Sequence, residues 1–460
     1  MEAKKGSLKS TIAVSLTNYL DAGAIVAGAS GLTLWQNYLG LTEGNLGWLN
    51  AISANCFGAA IGAIIGGFLA DKYGRKTIYT FNMLIYMWGV AIIMFTINFP
   101  MLLLGFLITG ISVGVGVPAS WTYISENSEV GNRGRNIGIS QVAWGVGPTI
   151  ILILGMLLAP GNGGESSGVL FGFVEKVAGL FLGTDASAAA VGVFASRLIF
   201  GSLFIVAFIA WQLQRRLNES KEWEEAKLAE SKAGQNAVKQ KSVFSSFGTL
   251  FTNKVNVRTI LFLAGMYLTW NLVASVMGFF QPHIYETAGG LSNAQANMLA
   301  AIQWVVIIIV TYFGFAKLVD KVNQRWLYFF GVGIGVVAWL ILVFVGIKSL
   351  TALWVFTILW GIQGGISVQG FYALWASELF PAKYRAAAQG VMFFIVRAAS
   401  AIWGLGFVRI YGANGEGFQV AAYIMIGLLL VSLLIGTIWT PKTRGKTLQQ
   451  ITDERYGKDF

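Results

Sequence analysis

Long apolar runs broken by short charged turns fill the chain as far as about residue 440. A helix needs about 20 apolar residues to cross a bilayer, and on that ruler the pattern predicts about twelve spans. They lie near 11–35, 45–70, 78–98, 101–123, 137–158 and 193–213, and again near 257–282, 296–317, 326–347, 351–376, 386–409 and 418–439. The first run is interrupted by Asp21 and has no cleavage site of small residues after a short apolar core, so it reads as a span and not as a cleavable signal. Glycine does not mark loops here: Gly58, Gly62, Gly66, Gly110, Gly114 and Gly116 sit inside apolar runs. At that spacing, small residues let membrane helices approach closely where lipid supplies no hydrophobic driving force between them. The expected fold is an all-α membrane protein.

Composition agrees. Of 460 residues, 55% are hydrophobic and 12% charged, and the mean hydropathy is +0.65. Soluble domains carry about 25% charged residues. The net charge of +11 would suggest nucleic acid in a soluble chain, but here it follows topology. If the turn at 67–76 faces the cytoplasm, the inward segments hold nearly all the Lys and Arg, and the outward ones hold only Lys176, Arg197, Lys348 and Arg409. The positive-inside rule then puts both termini in the cytoplasm of a cell (plasma) membrane protein, with no nucleic-acid partner. Cys56 is alone, so no intrachain disulfide forms, and it reads as packing. One cysteine and one histidine, His283, cannot build a metal site, and His283 follows Pro282 where a loop at an outer helix end is expected. There is no H-E-x-x-H, nucleophile elbow or nucleotide-binding loop. No metal, no cofactor and no enzyme activity are expected, and any transport would be secondary.

The only long polar stretch between apolar runs, 214–256, divides the chain into an N-terminal bundle 1–213, a cytoplasmic linker 214–256, a C-terminal bundle 257–440 and a cytoplasmic tail 441–460. Either side of the linker the charges repeat. Asp71-Lys72 returns as Asp320-Lys321, and Glu126 with Arg133 returns as Glu378 with Arg385. The offset is roughly 250 residues, as a duplication into two six-helix halves would give. Such halves are the architecture of alternating-access carriers, with a small-molecule solute bound between them at mid-membrane. A monomer in the lipid bilayer is expected. A non-transporting sensor on the same fold is the remote alternative, although sensors of that kind carry a long cytoplasmic extension.

Specific motifs carry a resemblance. Gly67-Phe-Leu-Ala-Asp71-Lys72-Tyr73-Gly74-Arg75-Lys76 fits G-x-x-x-D-[RK]-x-G-R-[RK] and resembles the signature loop of the major facilitator superfamily. In that pattern Asp71 can lie against the positive N-terminal end of another helix. Four further stretches resemble the sugar porters: Tyr123-Ile-Ser-Glu126 with Arg133-Gly134-Arg135; Leu217-Asn-Glu219-Ser220-Lys-Glu-Trp223; Glu378-Leu-Phe-Pro381 with Arg385; and Pro441-Lys-Thr443-Arg-Gly445-Lys446-Thr447-Leu448 with Ile451. The resemblance implies that Asp71, Arg75, Glu126, Arg133, Arg135, Glu219, Glu378 and Arg385 form salt bridges that hold the cytoplasmic side closed.

For the solute site the resemblance implies Gln141, placed like the glutamine that bonds sugar hydroxyls, and Asp21, placed like a first-helix aspartate linked to proton coupling. Asn18 lies close to one turn before Asp21 and shares its face. The chain departs from the porter pattern where Trp270-Asn271-Leu272-Val273-Ala274 replaces a glutamine motif, and where Phe106 replaces the usual partner arginine of the aspartate. Arg397 enters instead. Arg397-Ala398-Ala399-Ser400-Ala401-Ile402 resembles the eleventh helix of the organic-anion and aromatic-acid branches, whose arginine meets the substrate. A charge at bilayer depth needs a partner, either a substrate anion, gripped in two-pronged fashion, or Asp21 or a backbone carbonyl. Trp121, Trp144, Trp270, Asn271, Gln303, Gln363, Gln369, Tyr372 and Trp403 lie where stacking faces and amides could line the cavity.

The expected function is proton-coupled symport of a sugar, polyol or acidic sugar derivative, with Asp21 as proton carrier releasing Arg397 or another binding group. The alternative is uptake of a non-sugar organic anion. Antiport stays open, since Gly147-Pro148 faintly resembles an exchanger motif.

Overall fold

The computed structural model describes residues 2–73, 75–126, 133–161, 167–183, 186–215, 250–366, 368–412 and 415–457, with side-chain surroundings for all of these except 2–15, 67–73, 75–77, 79, 117–126, 133–134, 136 and 382–387. The described residues contain helices and no strand. In lipid every backbone N–H and C=O must find a partner within the segment, which a helix provides.

The elements are α1 (Glu2–Ser30), α2 (Leu32–Leu39), α3 (Glu43–Ile52), α4 (Phe57–Tyr73), α5 (Arg75–Met94), α6 (Phe99–Glu126), α7 (Arg133–Leu158), α8 (Phe171–Leu182) and α9 (Ala188–Gln214). Then follow α10 (Lys254–Thr287), α11 (Asn293–Val310), a π-helical turn (Thr311–Ala316), α12 (Gln324–Val345), α13 (Leu350–Gly365), α14 (Val368–Glu378), α15 (Ala382–Tyr411), α16 (Phe418–Ile438) and α17 (Leu448–Tyr456). Among the described residues 10 stretches are long and apolar enough to cross a membrane, and Thr80–Met94 is a shorter apolar helix. Together with α1, which begins in polar residues, they account for the twelve expected crossings. Large apolar side chains such as Trp88, Phe344 and Leu434 stand exposed on the outside, where acyl chains take the place of water.

Packing reveals the duplication. In the N-terminal half α1 packs on α7 and α9, α5 on α6 and α9, and α4 on α6. The C-terminal half repeats each contact with the equivalent helix: α10 on α15 and α16, α12 on α13 and α16, and α11 on α13. Between halves, α7 meets α11, α3 and α4 meet α15, and α1 meets α10. Exchanging the halves turns the first of these contacts into the second and leaves the third unchanged, which is pseudo-twofold symmetry.

Glycine makes the tightest of these packings possible. A Cβ on Gly58 would lie 2.8 Å from the Gly110 Cα, and one on Gly66 would lie 2.7 Å from the Val115 Cα. So α4 and α6 touch backbone to backbone, in the manner of small-residue membrane interfaces.

Three spans that look continuous in the sequence are broken. The first divides at Gly31, the second at Ser53–Cys56 and the tenth after Gly365. The apolar pattern runs unbroken through all three, so hydropathy alone does not show them. Irregular backbone at membrane depth is tolerated where protein or a cavity, not lipid, surrounds it.

Candidate functional site

Two of the breaks, at Ser53–Cys56 and after Gly365, border a cavity of about 120 Å³ between the halves. That is space for a small polar solute or several waters. From the N-terminal half α1, the Ser53–Cys56 break and α7 contribute Ala22, Ile25, Asn55, Gln141 and Trp144. From the other half α10, α11, the π-helical turn, α13, α14 and α15 contribute, among others, Trp270, Asn271, Gln281, Gln303, Trp304, Thr311, Trp360, Gln363, Gln369 and Arg397. Indoles and amides thus line a pocket containing one described cation and no described carboxylate.

The amides are ordered by one another. Gln369 Nε2 donates to Gln141 Oε1 at 3.1 Å across the junction. Gln281 and Gln303 exchange hydrogen bonds at 2.7 and 3.2 Å. Ser400 Oγ donates to Asn271 Oδ1 at 2.9 Å, leaving the Asn271 Nδ2 available to a solute. Both polar atoms of the Gln363 side chain are buried and have no hydrogen-bond partner among the described residues. A buried amide in that state costs free energy until something bonds it, and a hydroxylated solute can.

Arg397 is 3% exposed. Its Nη1 donates to the Asn55 carbonyl at 2.9 Å and also to Asn55 Oδ1. That carbonyl belongs to the Ser53–Cys56 break, so the interruption of the second span supplies the acceptor. The Phe393 ring lies 4.7 Å from the guanidinium carbon. Of the partners considered from sequence, the backbone carbonyl is the one found, and no described ion pair joins Arg397 to Asp21.

Asp21 is fully buried in α1, and its carboxylate oxygens have no hydrogen-bond partner among the described residues. It does not line the cavity. Its side chain turns toward α6, where a Cβ on Gly116 would sit 3.2 Å from Oδ2. Tyr86 Oη donates to the neighbouring Leu20 carbonyl at 3.0 Å.

The structure brings together Gln141, Trp144, Trp270, Asn271, Gln303, Gln363, Gln369 and Arg397 from the residues singled out in the sequence. Asn18, Tyr372 and Trp403 are not in the lining. Tyr372 instead stacks on Tyr267 with ring centroids 4.2 Å apart, and Asn18 is buried within α1. The Trp121 side chain lies outside the described residues. Asn55, Gln281, Trp304, Thr311 and Trp360 were not singled out. Their one sequence signal is a polar or indole group inside an apolar run, which many buried positions share.

His283 corrects the sequence reading. It lies inside α10, buried, with Nδ1 3.1 Å from Thr33 Oγ1 of the other half. The helix continues for a turn beyond Pro282, so the proline costs a hydrogen bond without ending the element.

The halves also meet on either side of the cavity. On one side, beside the Thr33–His283 contact, Asn293 Nδ2 and Asn297 Nδ2 both donate to the Ser30 carbonyl at 3.4 Å. On the opposite side Asp320 Oδ2 accepts from the Arg135 backbone N–H at 3.1 Å. That N–H lies in the first turn of α7, whose free donors and dipole favour a carboxylate. The placement expected for Asp71 is thus seen for Asp320, its repeat. The side chains of Asp71, Arg75, Glu126, Arg133 and Arg385, and all of Glu219, lie outside the described residues. Arg135 is exposed and Glu378 is buried.

A duplicated bundle of membrane helices, closed around a polar pocket where its halves meet, is the architecture of a solute carrier. The chain belongs to the Major Facilitator Superfamily, whose family profile matches residues 11–405. It is 40% identical to the minor myo-inositol transporter IolF of Bacillus subtilis over 98% of this chain and 94% of the relative. It is 33% identical to the niacin transporter NiaP of Acinetobacter baylyi, over 26% of this chain and 27% of that protein. Among solved structures it resembles the proton:xylose symporter XylE of E. coli bound to 6-bromo-6-deoxy-D-glucose, with a TM-score of 0.73, 17% identity and coverage of 97% of this chain and 98% of that one.

Proposed function

We propose that the protein is a secondary active transporter that carries a sugar or polyol, or an acidic derivative of one, together with a proton by alternating access. The observation that carries this reading is the amide- and indole-lined cavity at the junction of the halves, with an unsatisfied Gln363 inside it. Amides offer a donor and an acceptor at each position, which suits vicinal hydroxyls, and indole faces cover the apolar side of a ring. The 40% identity to a myo-inositol transporter over nearly the whole chain supports the same class.

Alternating access needs each set of cross-junction contacts to open in turn. Breaking the Asp320 contact to the start of α7 opens the cytoplasmic side, and separating Ser30 and Thr33 from Asn297 and His283 opens the other. The cytoplasmic charge pairs implied by the sugar-porter motifs would reinforce the first. Asp21 is the proton carrier in this scheme. It is a buried carboxyl with no hydrogen-bond partner among the described residues, one residue from Ala22 of the cavity wall, so a change in its charge can be felt through α1. The protein acts as a monomer in the plasma membrane with both termini in the cytoplasm. The division into 1–213, 214–256, 257–440 and 441–460 gives two rocking bodies, a linker and a tail.

Proteoliposome uptake of radiolabelled myo-inositol, glucose and xylose, with and without an imposed inward proton gradient, tests this. Accumulation of at least one of them that collapses with a protonophore is the expected result. Failure to move any polyhydroxylated solute would remove the reading.

A further inference from the structure

Asp21 has an unengaged neighbour. Asn82 of α5 is 2% exposed, and neither its Oδ1 nor its Nδ2 has a hydrogen-bond partner among the described residues. Both Asp21 oxygens are in the same condition. The two groups border one small space beside Gly116 of α6, where a Cβ would lie 3.2 Å from Asp21 Oδ2 and 3.6 Å from Asn82 Nδ2. Glycine leaves that space open. The backbone around it is fixed, since Ser112 Oγ donates to the Asn82 carbonyl and Tyr86 Oη to the Leu20 carbonyl, each at 3.0 Å. The Asn82 amide can still turn, because the outer torsion of an asparagine is broad. No described cation faces Asp21. Phe106 stands where the arginine of the resemblance would be, its ring packed on Phe200 and Phe279. The ionisable side chains beside Asp21 are Tyr86 and, on its own helix, Tyr19. The described charged groups of the other helices packed against α1 are placed elsewhere. Arg135 lies in the first turn of α7, Arg197 of α9 donates to the Thr96 carbonyl, Lys254 and Arg258 begin α10, and His283 and Glu286 meet Thr33.

We propose that Asn82 is the positioning partner of Asp21, an amide that bonds the carboxyl in either charge state and takes the place of the missing cation. This rests on the proton-coupled reading and adds the residue through which the proton carrier works. A protonated carboxyl donates its O–H to Asn82 Oδ1, and a carboxylate accepts from Asn82 Nδ2. Turning the amide over exchanges one bond for the other. An arginine offers donors only, so it favours the anion and is left as an uncompensated buried charge when the acid takes up its proton. The amide leaves no such orphan. In this structure the pair is parted, which costs free energy in both groups, and rotation of the Asn82 side chain closes it.

The test uses purified full-length protein in proteoliposomes, radiolabelled myo-inositol and two readouts. One is accumulation under an inward proton gradient, and the other is exchange of labelled for unlabelled solute at equal pH. Asn82→Leu should lower accumulation roughly tenfold more than it lowers exchange, as loss of a hydrogen bond to a buried charge would give. Gly116→Ala keeps both side chains and sets a methyl group between them, so it should skew the two readouts in the same direction. The decisive variant transposes the groups, combining Asp21→Asn with Asn82→Asp, and should accumulate severalfold more than Asp21→Asn alone. A structural asparagine gives no such recovery. Gly116→Ala and the transposed protein keep the test intact if Asn82→Leu does not fold. Asn82→Leu protein that accumulates like the wild type, or that loses both activities equally, overturns the pairing and leaves proton-coupled transport standing. A transposed protein no better than Asp21→Asn does the same. Wild-type protein that exchanges myo-inositol without accumulating it removes proton coupling, and the pairing with it. A wild type that moves none of myo-inositol, glucose and xylose removes the transport reading itself.

Discussion

The two lateral seams between the halves occupy equivalent places in the pseudo-twofold arrangement and are made differently. Where α7 meets α11 and the π-helical turn after it, the seam is small residues against backbone and apolar side chains: Gly138 against Ala316 of the turn, and Gly145 against Ile308. Where α3 and α4 meet α15, it carries the Asn55–Arg397 contact, and nearby the buried Asn50 amide faces Gly404. Carried across the duplication by roughly 250 residues, Arg397 falls near Gly147, which is pressed against the Tyr19 carbonyl and has no room for a side chain. By the same offset Asp21 falls on Asn271, an amide that lines the cavity. Duplication set the backbone of both seams. The charged groups lie on one copy each, with the acid in the N-terminal half and the cation in the C-terminal half. In the transport scheme proposed above, one seam slides and the other senses.

The sharpest break in this comparison is Asp21→Asn. It gives the N-terminal half the same kind of group that Asn271 gives the other. Accumulation driven by a proton gradient should fall at least tenfold, while exchange of labelled for unlabelled solute at equal pH continues. Equal loss of both activities would make Asp21 a structural residue. Next in size is Gly138→Leu in the sliding seam. A Cβ there would lie 2.8 Å from the Ala316 Cα, and overpacking of this kind costs about 1–3 kcal/mol. The cost falls on the state closed to the cytoplasm, so net uptake should drop about tenfold. A cysteine introduced on the cytoplasmic side of the cavity should meanwhile label faster.

Much of the architecture was legible, because a bilayer imposes a length and an apolar character on every span. The charge repeats at Asp71/Asp320 and Glu126/Glu378 carried the duplication, and eight of the cavity residues could be named from polar or indole groups on suitable spans. The breaks at Gly31, Ser53–Cys56 and after Gly365 were not legible. Their apolar pattern is continuous and none contains a proline, so tertiary packing decides them, against Ser196 at Gly31 and around the cavity at the other two. Asn55 was hidden for the same reason, since its importance lies in the carbonyl that the break frees. The short helix α8 was missed because 12 residues are too few to register as a span. Its exposed Phe173, Leu180 and Phe181 fit a helix lying at the membrane surface. Tyr372 drew attention as a cavity aromatic, yet the 3.6-residue period does not say which buried face of α14 meets the cavity and which meets Tyr267.

Smaller effects belong to the outer contacts, where several hydrogen bonds join the halves and share the load, the Glu286 carboxyl accepting from Thr33 beside the His283 contact. Asn297→Ala removes one of the two amide donors to the Ser30 carbonyl, the Asn293 Nδ2 remaining at 3.4 Å, so the balance should shift toward the outward-open state by only about twofold, at the low end of a hydrogen bond's worth of about 0.5–1.5 kcal/mol. External solute should bind more tightly, and turnover should slow if reclosing limits it. His283→Leu is the mildest. It removes only the partly buried contact to Thr33, whose hydroxyl can bond water instead, so a twofold to threefold change in the external KM is the expected limit, by about 0.5 kcal/mol. If His283→Leu instead lowered uptake as severely as Gly138→Leu, the outer contact would be as stringent as the cytoplasmic seam. The division between a sliding seam and a sensing seam would then have to be redrawn as one between the two faces of the membrane.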